Sequence, residues 1–101
     1  MHRDDVEEED HWVRLHACVH GDVQGVGFRY FVLARVRSSG IRGWVRNRGD
    51  GSVECVAEGP RPRLERLLDE LREGPRAAEV SDVEAEWQPA RGDLPDFRVA
   101  Y

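Results

Sequence analysis

Three glycines and an arginine fall close together in the stretch from Gly21 to Arg29, which reads GDVQGVGFR. Glycine lets backbone N–H groups turn inward without a Cβ clash, so the segment offers a cradle of donors. A helix that begins directly afterwards would add its own unpaired N–H groups and positive dipole. Arg29 opposes that dipole unless an anion lies between them. The pattern therefore indicates an anion site, in which a guanidinium can hold two phosphoryl oxygens at once.

The spacing of this loop fits neither common nucleotide-binding pattern. A P-loop needs a second glycine at a fixed position followed by lysine, and the chain contains no lysine. The dinucleotide pattern needs a third glycine at the position of Tyr30. By spacing alone, a tight strand-to-helix turn with a solvated arginine explains the loop as well as an anion site does.

Apolar residues on both sides of the loop predict the elements that position it. Alternation of Val13, Leu15, Ala17 and Val19 is typical of a strand with one face on a core. The Asp50-Gly51 pair indicates a hairpin turn, and leucines at helical spacing indicate an amphipathic helix. The predicted elements are a strand over residues 12–20, a helix over 28–39, strands over 42–47 and 52–58, a helix that opens at Pro60 and ends before Gly74, and strands over 83–87 and 97–101.

This order of elements predicts an α+β fold of the ferredoxin-like βαββαβ type. We expect a mostly antiparallel sheet with both helices on one face and a short extra C-terminal strand. The length of 101 residues suits a single domain, which we assign to residues 11–101. Residues 1–10 are rich in acidic side chains and are expected to form a disordered tail.

Composition excludes several classes of protein. The net charge of −5 is opposite in sign to that of a typical nucleic-acid binder. No segment has the basic start of a signal peptide or the roughly 20 apolar residues of a membrane span. We therefore expect a cytoplasmic protein, monomeric by default, without nucleic-acid or membrane partners. Cys18 and Cys55 lack metal-ligand spacing and are expected to be reduced packing residues on adjacent strands.

Two motifs resemble those of the acylphosphatase family. The segment VHGDVQGVGFR, from Val19 to Arg29, is similar to the first signature of that family, and GWVRN, from Gly43 to Asn47, is similar to the second, on a hairpin. The resemblance covers residues 12–101. It implies hydrolysis of acyl phosphates, the mixed anhydrides of carboxylic and phosphoric acids, to carboxylate and inorganic phosphate. It also implies that no metal, cofactor or covalent intermediate takes part.

The resemblance further implies a role for each matched residue. Arg29 would bind the phosphate, and Asn47 would position the attacking water. Asp22 departs from the family, in which this position is commonly basic or neutral, and its carboxylate predicts weaker anion binding. Carbamoyl phosphate, acetyl phosphate and 1,3-bisphosphoglycerate are all compatible substrates. The backbone N–H groups expected around the phosphoryl oxygens belong to Gly21, Asp22, Val23, Gln24, Gly25 and Val26.

Other functions are less well supported by the sequence. The stretch from Arg42 to Val45 partly resembles a strand motif of RNA-recognition domains, but its aromatic pattern is incomplete and the net charge is −5. A module that binds an anion without turnover is disfavoured because Arg29 and Asn47 are both present, so a free-standing enzyme is expected.

Three histidines and a tryptophan lie near the motifs. His16 and His20 share a strand face about 13 Å apart and His11 points the other way, so the three are not expected to chelate one ion. His20 and Trp44 remain candidate neighbours of the substrate.

Overall fold

The structure is a computed structural model that describes residues 11–101. The expected acidic tail at residues 1–10 lies outside the described residues. The elements follow the predicted order. They are β1 (Trp12–Asp22), α1 (Phe28–Val36), β2 (Arg42–Asn47), β3 (Val53–Pro60), α2 (Arg61–Glu73), β4 (Glu79–Pro89) and β5 (Arg98–Val99).

The five strands form one sheet in the order β4-β1-β3-β2-β5. The pairs β1–β3, β1–β4 and β2–β3 are antiparallel, whereas β5 is parallel to β2. The strand β5 is only two residues long, but the Ala100 N–H continues the contact by donating to the Val45 carbonyl oxygen at 2.8 Å. The prediction of a mostly antiparallel ferredoxin-like sheet with a short extra strand is confirmed.

One face of the sheet packs against both helices. Successive side chains of a strand point to opposite faces, and Leu15, Ala17 and Val19 of β1 point to the helices and are fully buried. The core joins these β1 residues to the leucine stripe of α2 and to the buried residues of α1, β2 and β3: Phe28, Val32, Val36, Val45, Val53, Cys55, Ala57, Leu64, Leu67, Leu68 and Leu71.

Neither helix in residues 11–101 is long and apolar enough to cross a membrane.

The opposite face, here called the open face, carries polar and charged residues. Arg14 and Glu58 are nevertheless buried there, because the Arg14 Nε donates to Glu58 Oε2 at 2.7 Å. The backbone N–H groups of Arg91 and Gly92 donate to the same carboxylate at 2.8 and 3.0 Å. Paired charges and the segment after β4 thus cover the region of the open face around Arg14.

Helix α1 ends at Val36, three residues before the predicted end. Arg37 leaves the helical region with ψ 133°, and Ser38 has a positive φ of 65°. The N–H and hydroxyl of Ser39 both donate to the Val36 carbonyl oxygen, at 3.0 and 2.5 Å. Serine side chains compete with the helical hydrogen bonds in this way, so the two serines end the helix before Gly40, which has the expected left-handed φ of 79°.

Candidate active site

The glycine-rich loop leaves β1 at an irregularity in its pairing with β4. The register shifts between His20 and Gly21, and Gly21 has φ 127°. A Cβ at Gly21 would collide with the carbonyl oxygen of Glu79, so only glycine fits there. Gly25 and Gly27 have φ 76° and 77° with no neighbour near a Cβ position, so they are needed for their backbone conformation and not for space.

The loop and the start of α1 present unpaired N–H donors. Gly27 is the N-cap residue and supplies no side-chain cap, and no acidic residue lies in the first turn. Within residues 11–101, no group accepts a hydrogen bond from the N–H groups of residues 23–27. Unpaired donors at a helix start are normally satisfied by a cap, water or a ligand. This arrangement therefore suits an anion.

Arg29 lies in the first turn of α1, is half-buried, and is close to two tyrosine rings. Its guanidinium carbon is 5.0 Å from the ring centroid of Tyr101 and 6.0 Å from that of Tyr30. The two tyrosine hydroxyls are hydrogen-bonded at 2.6 Å, and this bond raises the pKa of Tyr30 above its ordinary value. In the described chain no carboxylate pairs with Arg29. Its donors are therefore available to a ligand.

Asn47 is the last residue of β2. It shares the helix-facing side with Val45, is half-buried, and its side chain makes no hydrogen bond to residues 11–101. The following turn is held by Asp50, which accepts the Ser52 hydroxyl at 2.6 Å and the Ser52 N–H at 2.9 Å. These hydrogen bonds hold the pKa of Asp50 below its ordinary value. The side-chain amide of Asn47 thus stands on a fixed hairpin with its polar atoms unused.

The sheet register brings the loop and Asn47 to the same end of the molecule. Val53 pairs with Val19 of β1 on one side and with Asn47 of β2 on the other. The row that holds Asn47 therefore lies two residues before Gly21, the first glycine of the motif. The side-chain Nε2 of Gln24 then joins loop and hairpin directly: it donates to the carbonyl oxygens of Arg48 at 2.8 Å and Ser52 at 2.9 Å.

The C-terminal segment links Asn47 to Arg29 by a second route. Val45 of β2 is in register with Val99 of β5. The same register continued by two residues sets Tyr101 level with Asn47, and the Tyr101 ring lies against the Arg29 guanidinium. Sequence patterns had given Tyr101 and Gln24 no side-chain role, because neither contact can be read from spacing along one strand or loop.

The remaining candidates fall on different sides of this site. Asp22 is exposed and makes no ion pair in the described chain, whereas Val23 is buried in the core and anchors the loop. His20 and Trp44 contact residues of the open face instead of the site. His20 Nε2 lies 2.9 Å from Glu84 Oε1, and the Arg46 guanidinium carbon lies 5.2 Å from a Trp44 ring centroid.

The two cysteines are free thiols on adjacent strands, as predicted for their position. Cys18 follows the core residue Ala17 on β1 and therefore points to the open face, whereas Cys55, the partner of Ala17, points into the core. Burial raises the pKa of the Cys55 thiol to about 12. The two sulfurs thus lie on opposite sides of the sheet.

Comparison with known proteins identifies the family of this chain. The profile of the acylphosphatase family matches residues 15–99. The chain belongs to the acylphosphatase family. This is an enzyme family that hydrolyses acyl phosphates. The family and enzyme class predicted from the two motifs, and the fold class predicted from the order of elements, are therefore confirmed.

Individual relatives match over most of their length. An acylphosphatase of Nocardia farcinica is 55% identical over 85 residues, which are 84% of this chain and 85% of that protein. An acylphosphatase of Moorella thermoacetica is 51% identical over 87 residues, or 86% and 92% of the two chains. The crystal structure of acylphosphatase from Bacillus subtilis has a TM-score of 0.83 and 35% identity, and covers 88% of this chain and 99% of its own.

Proposed function

We propose that this chain hydrolyses acyl phosphates to a carboxylate and inorganic phosphate, with Arg29 and the loop N–H groups binding the phosphoryl group and Asn47 positioning the attacking water. One observation carries the proposal. Within residues 11–101, a guanidinium and a side-chain amide that lack hydrogen-bond partners lie at the same end of the sheet, and contacts of Gln24 and Tyr101 connect the elements that bear them.

Phosphate binding is the part of the proposal that uses the loop. The N–H groups of the loop, residues 21–26, surround the phosphoryl oxygens, and the start of α1 adds its positive dipole. Arg29 contributes two donors in a fixed fork. These donors are oriented before substrate arrives, and donors of this kind cost about 2.7–4 kcal/mol of transition-state stabilisation each when removed. The loop is therefore a phosphate-binding loop.

Asn47 acts on the water. An acyl phosphate already has a good leaving group, because the carboxylate departs without protonation. The side-chain carbonyl of Asn47 accepts a hydrogen bond from the water. This orients a lone pair of the water oxygen toward phosphorus, on the side opposite the leaving oxygen. Positioning and charge stabilisation are then sufficient, so the proposed step uses neither a metal nor a covalent intermediate.

Asp22 is exposed to solvent, so its carboxylate weakens phosphate binding by about 1 kcal/mol or less. We place the enzyme in the cytoplasm, where the free thiols of Cys18 and Cys55 stay reduced. We further propose a monomer that acts on small acyl phosphates.

Release of phosphate from benzoyl phosphate tests the proposal. We expect turnover that is unchanged by EDTA. The change Arg29→Ala is expected to lower kcat/KM about 100- to 1000-fold and to weaken inhibition by inorganic phosphate. Arg35→Ala is the matched control, because Arg35 lies on the same helix but pairs with Glu70 at the surface. Phosphate binding without turnover would identify a binding module and contradict the proposal.

A further inference from the structure

The open face carries a group of side chains that the proposed hydrolysis does not use. His16 and Cys18 lie two residues apart on β1, and Glu54 of β3 is the register partner of Cys18. We propose that these three residues form a binding site for Zn²⁺, separate from the active site and on the opposite side of the sheet.

Three different donor atoms converge at this point. The imidazole nitrogen of His16, the sulfur of Cys18 and a carboxylate oxygen of Glu54 all lie within 4.8 Å of one another. Zn²⁺ binds sulfur at about 2.3 Å and nitrogen or oxygen at about 2.0–2.2 Å, which sets tetrahedral ligand atoms about 3.3–3.6 Å apart. Side-chain movements of about 1 Å would therefore close the three donors around one ion.

The donor types select the metal. Thiolate, imidazole and carboxylate together favour Zn²⁺ over Mg²⁺ or Ca²⁺, which prefer oxygen alone. Three protein ligands leave a fourth position for water or for a carboxylate of β4. A shallow cavity of about 210 Å³ opens there, lined by His16, Cys18, Glu84, Ala85 and Glu86. An ion can thus reach the site from solvent.

The existing hydrogen bonds already hold the ligands in place. His16 Nε2 lies 2.7 Å from Glu54 Oε2, where the metal would replace a shared proton, while Arg46 Nε donates to Oε1 at 2.8 Å. Arg48 Nη1 donates to the Cys18 sulfur at 3.2 Å. Such outer partners orient ligands in metal sites. The positive charges of Arg46 and Arg48 oppose the binding of a dication. The carboxylates of Glu84 and Glu86, on the neighbouring strand β4, offset these charges.

The test is titration of the untagged full-length protein with ZnCl₂ by calorimetry, together with the absorption spectrum of the Co²⁺ form. We expect one Zn²⁺ per chain, a thiolate-to-Co²⁺ charge-transfer band, and a melting temperature that rises with Zn²⁺. Since altering even an outer partner costs metal sites about 10- to 100-fold in affinity, Cys18→Ser and His16→Asn are each expected to weaken Zn²⁺ binding at least 100-fold.

His20→Asn is the matched control, because it removes a histidine from the same face of β1 without touching the three ligands. It should keep both the affinity and the Co²⁺–thiolate band. The proposal is overturned if no saturable binding occurs, if the Co²⁺ form lacks the thiolate band, or if Cys18→Ser and His16→Asn bind Zn²⁺ as tightly as the wild type. Glu54→Gln is avoided because it would also break the Arg46 pair and destabilise the sheet.

Discussion

The side-chain amide of Gln24 donates a hydrogen bond to the main-chain carbonyl oxygen of Arg48 at 2.8 Å, and so joins the glycine-rich loop to the hairpin that carries Asn47. The same nitrogen also donates to the Ser52 carbonyl oxygen at 2.9 Å. One side chain thus connects the donors proposed to bind phosphate to the hairpin that bears the residue proposed to hold water.

Replacing Gln24 should therefore impair both stability and turnover. We expect Gln24→Ala to lower the free energy of unfolding by about 1–3 kcal/mol, the net value of two hydrogen bonds. We expect kcat to fall about 10-fold or more, because small displacements of positioning groups are costly. Gln24→Glu should be worse, since its carboxylate faces two carbonyl oxygens. Urea unfolding and steady-state kinetics measure the two effects. Gln88→Ala, on β4, serves as the control and should behave as wild type.

Tyr101 is predicted to position Arg29 through its ring. A cation–π contact at an exposed site contributes about 0.5–1 kcal/mol. Tyr101→Ala should therefore weaken phosphate inhibition and lower kcat/KM by about 2- to 5-fold. Tyr101→Phe keeps the ring and loses only the hydroxyl contact with Tyr30, so it should stay close to wild type. Equal effects of the two variants would show that the ring itself has no role.

The buried pair of Arg14 and Glu58 is predicted to stabilise the open face. Their side chains are 10% and 2% exposed. Glu58→Gln removes the buried charge that faces Arg14, but Arg14 keeps its ion pair with the exposed carboxylate of Asp93. We therefore expect a loss of about 1–3 kcal/mol in the free energy of unfolding. Glu84→Gln, which affects an exposed contact with His20, should change stability by less than about 1 kcal/mol. Urea titration of both variants makes the comparison.

The pKa of Glu58 predicts how the free energy of unfolding depends on pH. Burial alone would raise the pKa of Glu58, but the Arg91 N–H, the Arg14 guanidinium and the Gly92 N–H outweigh it and hold the pKa below its ordinary value. A lowered folded-state pKa contributes stability above the unfolded value of about 4.3, and that contribution is lost as the pH falls below it. Unfolding free energies between pH 3 and 7 should fall more steeply with acid in wild type than in Glu58→Gln.

Much of the fold could be predicted from local patterns, for physical reasons visible in particular residues. The alternation of apolar residues along β1 and the leucine stripe of α2 could be predicted because apolar side chains recur wherever an element turns the same face to the core. The early end of α1 was missed because the hydroxyl of Ser39 competes for the Val36 carbonyl oxygen, an effect that apolar spacing does not register. The register shift between His20 and Gly21 depends on the pairing of β1 with β4. Apart from Gly21, no residue near this point in the sequence predicts it.

The candidate site was predictable only in part. Arg29 and Asn47 could be proposed as site residues because each lies in a motif, although they are 18 positions apart along the chain. The side-chain roles of Gln24 and Tyr101 depend on contacts between elements far apart in sequence. The cluster of His16, Cys18 and Glu54 was missed for the same reason, since its third member comes from a neighbouring strand.

The central claim is that Asn47 positions the water while Arg29 and the loop bind phosphate. The most direct test is to measure kcat with benzoyl phosphate and the inhibition constant of inorganic phosphate for Asn47→Ala beside wild type. We predict that kcat falls at least about 100-fold while the inhibition constant changes less than about 3-fold, because no phosphate-binding donor is lost. A variant that keeps full kcat, or one that loses phosphate binding and turnover in equal measure, would contradict this account.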